Sequence, residues 1–159
     1  MARGRIILAA LSLACLVGCA RASAPTELSG LWSASQPACA AGVGVRFQAD
    51  AIEAVYENER QTLFENVSYK VERRGNAFRA RITYDLPRLA GGAHTAGAHG
   101  VIVLVRRDGG VAPESHNLVD PRTGAVRVQL DNDPVQTLLT LEPCGPHPWR
   151  DPLRGRNGA

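Results

Sequence analysis

No apolar run in this sequence is long enough to hold a permanent membrane span. The longest, Ile6 to Val17, is broken only by Ser12. As a helix it would reach roughly 18 Å, against about 30 Å of bilayer hydrocarbon. A strong charge of one sign is also missing, since the formal net charge is +3. That excludes the basic footprint of a nucleic-acid binder, so no nucleic-acid partner is expected. Seventeen of the eighteen basic residues are Arg, a bias that fits a GC-rich genome and carries no mechanistic weight. Catalytic signatures are absent too. There is no Gly-x-Ser-x-Gly elbow, no phosphate-cradling glycine loop and no Cys-x-x-Cys pair, so neither an enzyme nor a bound cofactor is expected.

What is present begins at the N-terminus. Arg3 and Arg5 precede the apolar run, and small residues come after it, the layout of a secretory signal. Two cleavage points compete. Ala22–Ser23–Ala24 obeys the small-x-small rule, but Pro25 behind it makes a poor extended scissile segment. Leu16–Val17–Gly18–Cys19 resembles the lipobox of bacterial lipoproteins and sits where the apolar run ends. The resemblance covers residues 1–19. It implies that the chain is cut before Cys19 and that the Cys19 thiol carries diacylglycerol, with two or three acyl chains in all. Two or more chains anchor stably where one does not. It further implies a membrane partner and a cell-envelope location. Ala20, rather than Asp, comes after the cysteine, which for a Gram-negative envelope points to the outer membrane, facing the periplasm.

On this reading residues 1–18 are a signal peptide, 19–28 a lipidated tether, 29–144 one β domain, and 145–159 an irregular Pro/Gly/Arg tail. Loss of Arg3 and Arg5 lowers the formal charge from +3 to +1. Cys15 leaves with the signal, and Cys39 and Cys144 remain. An exported chain with one remaining pair is expected to join them as a disulfide. A redox-active or metal-binding pair is the alternative, without neighbouring ligands in sequence to support it.

Along the domain the hydrophobic period is two. Val43, Val45 and Phe47 alternate with polar or small residues, as do Val67, Tyr69 and Val71. Phe78, Ala80, Ile82 and Tyr84 do the same, and so do Val126, Val128 and Leu130. Such alternation places one face in a core and the other in water. Val101–Val105 is apolar throughout and predicts a strand buried on both faces. Arg74-Gly75-Asn76, Asp108-Gly109-Gly110 and Pro121–Gly124 supply turn chemistry between these runs. Residues 31–33 and 135–141 are expected as first and last strands, and 88–100 as a loop. Asp50 and Glu53 suggest a helix start, but alternation of Ile52, Ala54 and Tyr56 favours a strand over 52–57 and then a turn. The fold expected is all-β, an antiparallel up-and-down barrel or sandwich of about eight or nine short strands with one disulfide.

Gly30-Leu31-Trp32 resembles the Gly-x-Trp of the first strand of lipocalins, barrels that bind small ligands and use this Trp to close the floor. The resemblance covers these three residues and the all-β plan. It makes Trp32, Phe47, Tyr69, Phe78 and Ile82 candidate pocket residues for a small apolar ligand. An ordinary core aromatic is the alternative for Trp32. Other chemistry is thinner. Ser115, His116 and Asp120 share a stretch, but on a strand Ser115 and His116 face opposite sides. His94 and His99 lie five apart in a Gly-rich segment, which aligns no metal site, and no metal is expected. Asn66-Val67-Ser68 forms a glycosylation sequon that a bacterial lipoprotein gives little reason to use. Trp149, among Arg150, Arg154 and Arg156, suits a partner strip, a membrane-surface contact, or a fold-back beside the disulfide. The sequence therefore points to a non-catalytic interaction or structural module with an envelope protein partner, or else to a carrier of a small apolar ligand.

Overall fold

The computed structural model describes residues 23–57, 59–86, 95–130, 140–147 and 149. The expected signal peptide (residues 1–18), Cys19 and His94 lie outside the described residues. So do residues 131–139, most of the expected last strand.

Nine strands form one antiparallel sheet in the order β8-β7-β6-β5-β4-β3-β2-β1-β9. In chain order they are β1 (Leu31–Ser33), β2 (Gly44–Phe47), β3 (Ala51–Tyr56), β4 (Glu59–Arg74) and β5 (Ala77–Asp85). Then come β6 (His99–Arg107), β7 (Gly110–Val119), β8 (Val126–Gln129) and β9 (Glu142–Pro143). The first eight are an up-and-down meander, and β9 returns to lie beside β1. The sheet is not closed into a barrel. It curls until Leu141, just before β9, meets Val111 in an isolated bridge with N–H···O distances of 2.9 and 2.7 Å.

The turns explain the meander. Between β4 and β5, Gly75 takes φ +56° at the first central position of a two-residue loop, where a Cβ is costly. Between β6 and β7, Asp108-Gly109 takes φ +50° and +83°, the conformation that Asp-Gly favours. Asp120 caps the β7–β8 turn by accepting from the backbone N–H groups of Arg122 and Thr123.

Residues 52–57 are largely a strand, as alternation favours, but the strand after the turn is long. β4 runs sixteen residues and serves two partners. Residues 59–65 pair with β3, and Glu65 and residues 68–74 pair with β5, with an irregularity at Asn66, φ +52°. A bulge of this kind re-aims a strand, and here the Val67 N–H donates to the Asp50 carbonyl at the bend.

Three boundaries move. The expected tether to residue 28 is already part of the domain: Thr26–Leu28 form a 3₁₀ turn, Leu28 is fully buried and Ala24 packs on the core. A short helix, α1 (Gln36–Ala40), interrupts the strands, with Ser35 accepting at its N-cap and Pro37 in its first turn. The expected loop over 88–100 ends earlier, because His99 and Gly100 already belong to β6. Cys39 on α1 and Cys144 after β9 are disulfide-bonded across 105 positions. Beside the bond, the Cys144 N–H donates to the Leu31 carbonyl.

β6 is buried on both faces, as its composition implies. Leu104 and Ile102 face the main core, while Val101 and Val103 form a second cluster with Val119.

Candidate functional site

The five expected pocket residues come together in one packed cluster, and Phe78 also borders a groove that opens at the surface. Trp32 and Ile82 have no exposure, Phe78 has 6% and Phe47 has 8%. All four belong to one cluster, with Tyr69 packed against it. Tyr69 donates its hydroxyl to the Gln48 carbonyl at 2.7 Å, and burial, helped by the charge of Asp50, holds its pKa well above the ordinary value. Trp32 donates its indole N–H to the Leu28 carbonyl at 3.1 Å. Its polar handle is thus satisfied inside the protein.

The curled sheet has two ends. At the far end lie the β3–β4, β5–β6 and β7–β8 connections. Here Tyr84 stacks on Phe64 at 4.0 Å and its hydroxyl meets His116 Nε2 at 2.6 Å. Burial pushes the Tyr84 pKa from 10.0 up to about 12, so the phenol stays neutral. Gly100 faces the ring from the next strand, and a Cβ there would lie 1.9 Å from Tyr84 Cζ. Asp85 is flanked by the Asn66 amide at 2.8 Å and by His99 Nδ1 at 3.1 Å.

No triad forms. Ser115 pairs across the ladder with Val103 of the second cluster, and His116 with Ile102 on the inner face, so the two side chains point to opposite sides. Asp120 is bound instead to Arg127 and its own turn. The Arg127 hydrogen bond, with those from the Arg122 and Thr123 N–H groups, draws its carboxyl from 3.8 to about 2. Among the described residues no group of three or more His, Cys, Asp or Glu could hold a metal.

At the near end lie the β4–β5 and β6–β7 turns, the start of the domain and its final described residues. Trp149 folds back against Phe78 at 4.8 Å and Trp32 at 6.1 Å. His147 stacks edge-on to Trp32 at 5.1 Å, with Nε2 3.0 Å from the Glu27 carbonyl oxygen. Residues 147 and 149, expected in an irregular tail, therefore help close this end of the core. Arg106 lies over the Trp149 ring at 5.3 Å. Arg73 forms an ion pair with Glu27, a contact that lowers the Glu27 pKa.

Outside this plug, an open groove of about 670 Å³ runs between the turns. Arg74, Arg79 and Arg106 line it with Asn76, Glu72 and Asp108, over a floor that includes Phe78 and Val105. Arg79 is paired with Glu114 at 2.6 Å. A second groove of about 390 Å³ adjoins it, lined by Lys70, Glu72, Arg79, Arg81 and Val103. Composition alone missed this concentration, because the overall charge is small and the basic residues come from three strands. The signal that locates it is the arginine pair flanking each near-end turn, Arg73-Arg74 and Arg106-Arg107.

No family model, curated protein or solved structure matches the chain.

Proposed function

We propose that this chain is a cell-envelope lipoprotein, anchored through acylated Cys19, whose β domain is a non-catalytic interaction or structural module. The observation that carries the second half is the filled interior. A carrier needs an apolar cavity of a few hundred Å³, and Trp32, Phe47, Phe78 and Ile82 occupy that space themselves. Surface that could serve recognition includes the two grooves of β4–β6, lined largely by charged side chains. The lipobox at residues 16–19 supports the anchor, and a Gram-negative envelope would place the domain in the periplasm on the outer membrane.

Native mass spectrometry, with organic-solvent extraction of the purified protein, tests the module against the carrier. The module releases no stoichiometric apolar compound beyond its own acyl chains. A co-purified ligand at one per chain, displaced when Ile82 is enlarged to Phe, overturns it in favour of a lipocalin-like carrier.

A further inference from the structure

The near end of the sheet is where the chain enters the domain, and it is also where arginines without an ion pair among the described residues gather. Glu27 is held there by Arg73, and Ala24 packs on the core beside them. If Cys19 is the anchor, four residues lie between it and Ala24, a reach over five Cα steps of at most about 18 Å. That is less than the length of β4, whose sixteen residues extend about 50 Å when straight. The tether therefore holds the end that carries it within about 18 Å of the headgroups.

The chemistry of that end suits such a position. Arg74 and Arg107 are exposed and have no ion pair among the described residues, and Arg106 is spent only on the Trp149 face and a 3.5 Å contact to the Asn76 carbonyl. Asp108 and Glu72 offset part of this charge. Glu72, however, lies two residues in from the turn, level with Arg79, so the outermost layer holds Arg74 and Arg107 against Asp108. Trp149 sits among these arginines, an amphipathic ring of the type that settles at a membrane interface. The far end contrasts: on or beside its connections Glu57, Glu59, Glu65, Asp85 and Asp120 outnumber Arg60, Arg122 and Arg127.

We propose that the near-end rim, Arg74, Arg106, Arg107 and Trp149, docks the domain on the anionic phospholipid surface of the membrane that holds its anchor. The guanidinium groups meet headgroup phosphates at the mouth of the 670 Å³ groove, and the indole edge reaches the glycerol level. Docking fixes the orientation of the domain, with its far end and the β8 edge turned to the aqueous space. The inference rests on the proposed anchor, and it is testable apart from it.

The test reconstitutes the protein into vesicles of phosphatidylcholine alone, or of phosphatidylcholine with phosphatidylglycerol, each carrying brominated acyl chains that quench nearby Trp. Trp32 is fully buried, so quenching reports on Trp149, and Trp149→Phe identifies the signal. Docking predicts strong quenching only with phosphatidylglycerol, reversed by salt and abolished in Arg74→Gln/Arg106→Gln/Arg107→Gln. Each basic side chain at such a surface favours the bound state roughly fivefold, so the triple change costs on the order of a hundredfold. Quenching that is absent or equal in both vesicle types, in wild-type protein whose mass includes acyl chains, overturns docking and leaves the anchor standing. If the mass shows no acyl chains, the anchor fails instead. Co-sedimentation of that soluble protein with phosphatidylglycerol vesicles then decides the rim alone, binding supporting it and no binding refuting it.

Discussion

The two ends of the curled sheet are built from similar residues, aromatics with a histidine, and are held in different ways. At the near end, Trp32, His147 and Trp149 come from segments more than a hundred residues apart and meet edge to face. Their geometry depends on closure: the Cys39–Cys144 bond, the β1–β9 pairing and the Val111–Leu141 bridge. At the far end, Phe64, Tyr84 and His116 sit on strands of one continuous meander, β4 to β7, and need no closure. Closure over a long loop is entropically costly unless covalently assisted, which explains why the disulfide serves the near end. A plug made this way packs Trp149 against Phe78 and Trp32 and leaves Arg106 over its outer face.

Perturbing each end in turn should separate these two modes of support. The largest effect is expected from Cys39→Ala/Cys144→Ala. Releasing a loop of 105 positions costs about 4.7 kcal/mol in the chain-entropy model. Urea unfolding should show it, and Trp149 fluorescence should become solvent-like before the far-end tyrosines respond. Simultaneous loss of both signals would mean the ends are not separable. Trp32→Ala comes next, at about 4 kcal/mol, because a fully buried indole leaves a cavity and the Leu28 carbonyl loses its donor.

Far-end changes are smaller. Gly100→Ala forces the Tyr84 ring aside and should cost about 2 kcal/mol through overpacking, with the near end unaffected by Trp149 fluorescence. Tyr84→Phe removes one hydrogen bond to His116 and should cost about 1 kcal/mol. It should also alter the alkaline limit. The folded Tyr84 pKa lies at about 12 against 10.0 ordinarily. The neutral phenol therefore favours the fold fully below pH 10, and that advantage is lost progressively as pH rises towards 12. Urea midpoints of wild type and variant across that window should converge as pH rises. A constant gap would contradict the shift.

The smallest effect belongs to Asp120, whose bond to Arg127 lies at the surface. Its pKa is depressed from 3.8 to about 2, so its contribution is present above 3.8 and vanishes as pH falls through 2. Asp120→Asn, which keeps an acceptor for the turn, should shift the chemical shifts of Arg122 and Thr123 little at neutral pH and remove their acid titration.

Much of the fold was legible because its signals are local. Period-two alternation marks β5 from Phe78 to Tyr84, and Asp108-Gly109 marks the β6–β7 hairpin without any long-range knowledge. The Cys39–Cys144 bond followed from the expectation that Cys15 leaves with a signal and Cys19 carries lipid, which left one pair. What escaped depends on tertiary context. The first half of β4, Glu59 to Phe64, is mostly polar and exposed, so no alternation announces a strand whose stability comes from pairing on β3. Leu28 looks like the end of a tether until Trp32 is seen to bond its carbonyl. Trp149 lies in a proline-rich stretch that breaks every pattern, and only packing against Phe78 gives it a place. The candidate pocket residues do converge, as neighbours in one buried cluster. Alternation tells which side chains point inward, and only their summed volume tells whether room remains among them.

Intact mass of the membrane-extracted protein, before and after reduction and alkylation, decides between a tethered and a free domain. A tethered domain has the mass of Cys19–Ala159 plus acyl chains, with two alkylated thiols appearing only after reduction. A lipid-free mass beginning at Pro25 would contradict the anchor, releasing the domain from the membrane and removing the geometric reason for its basic end.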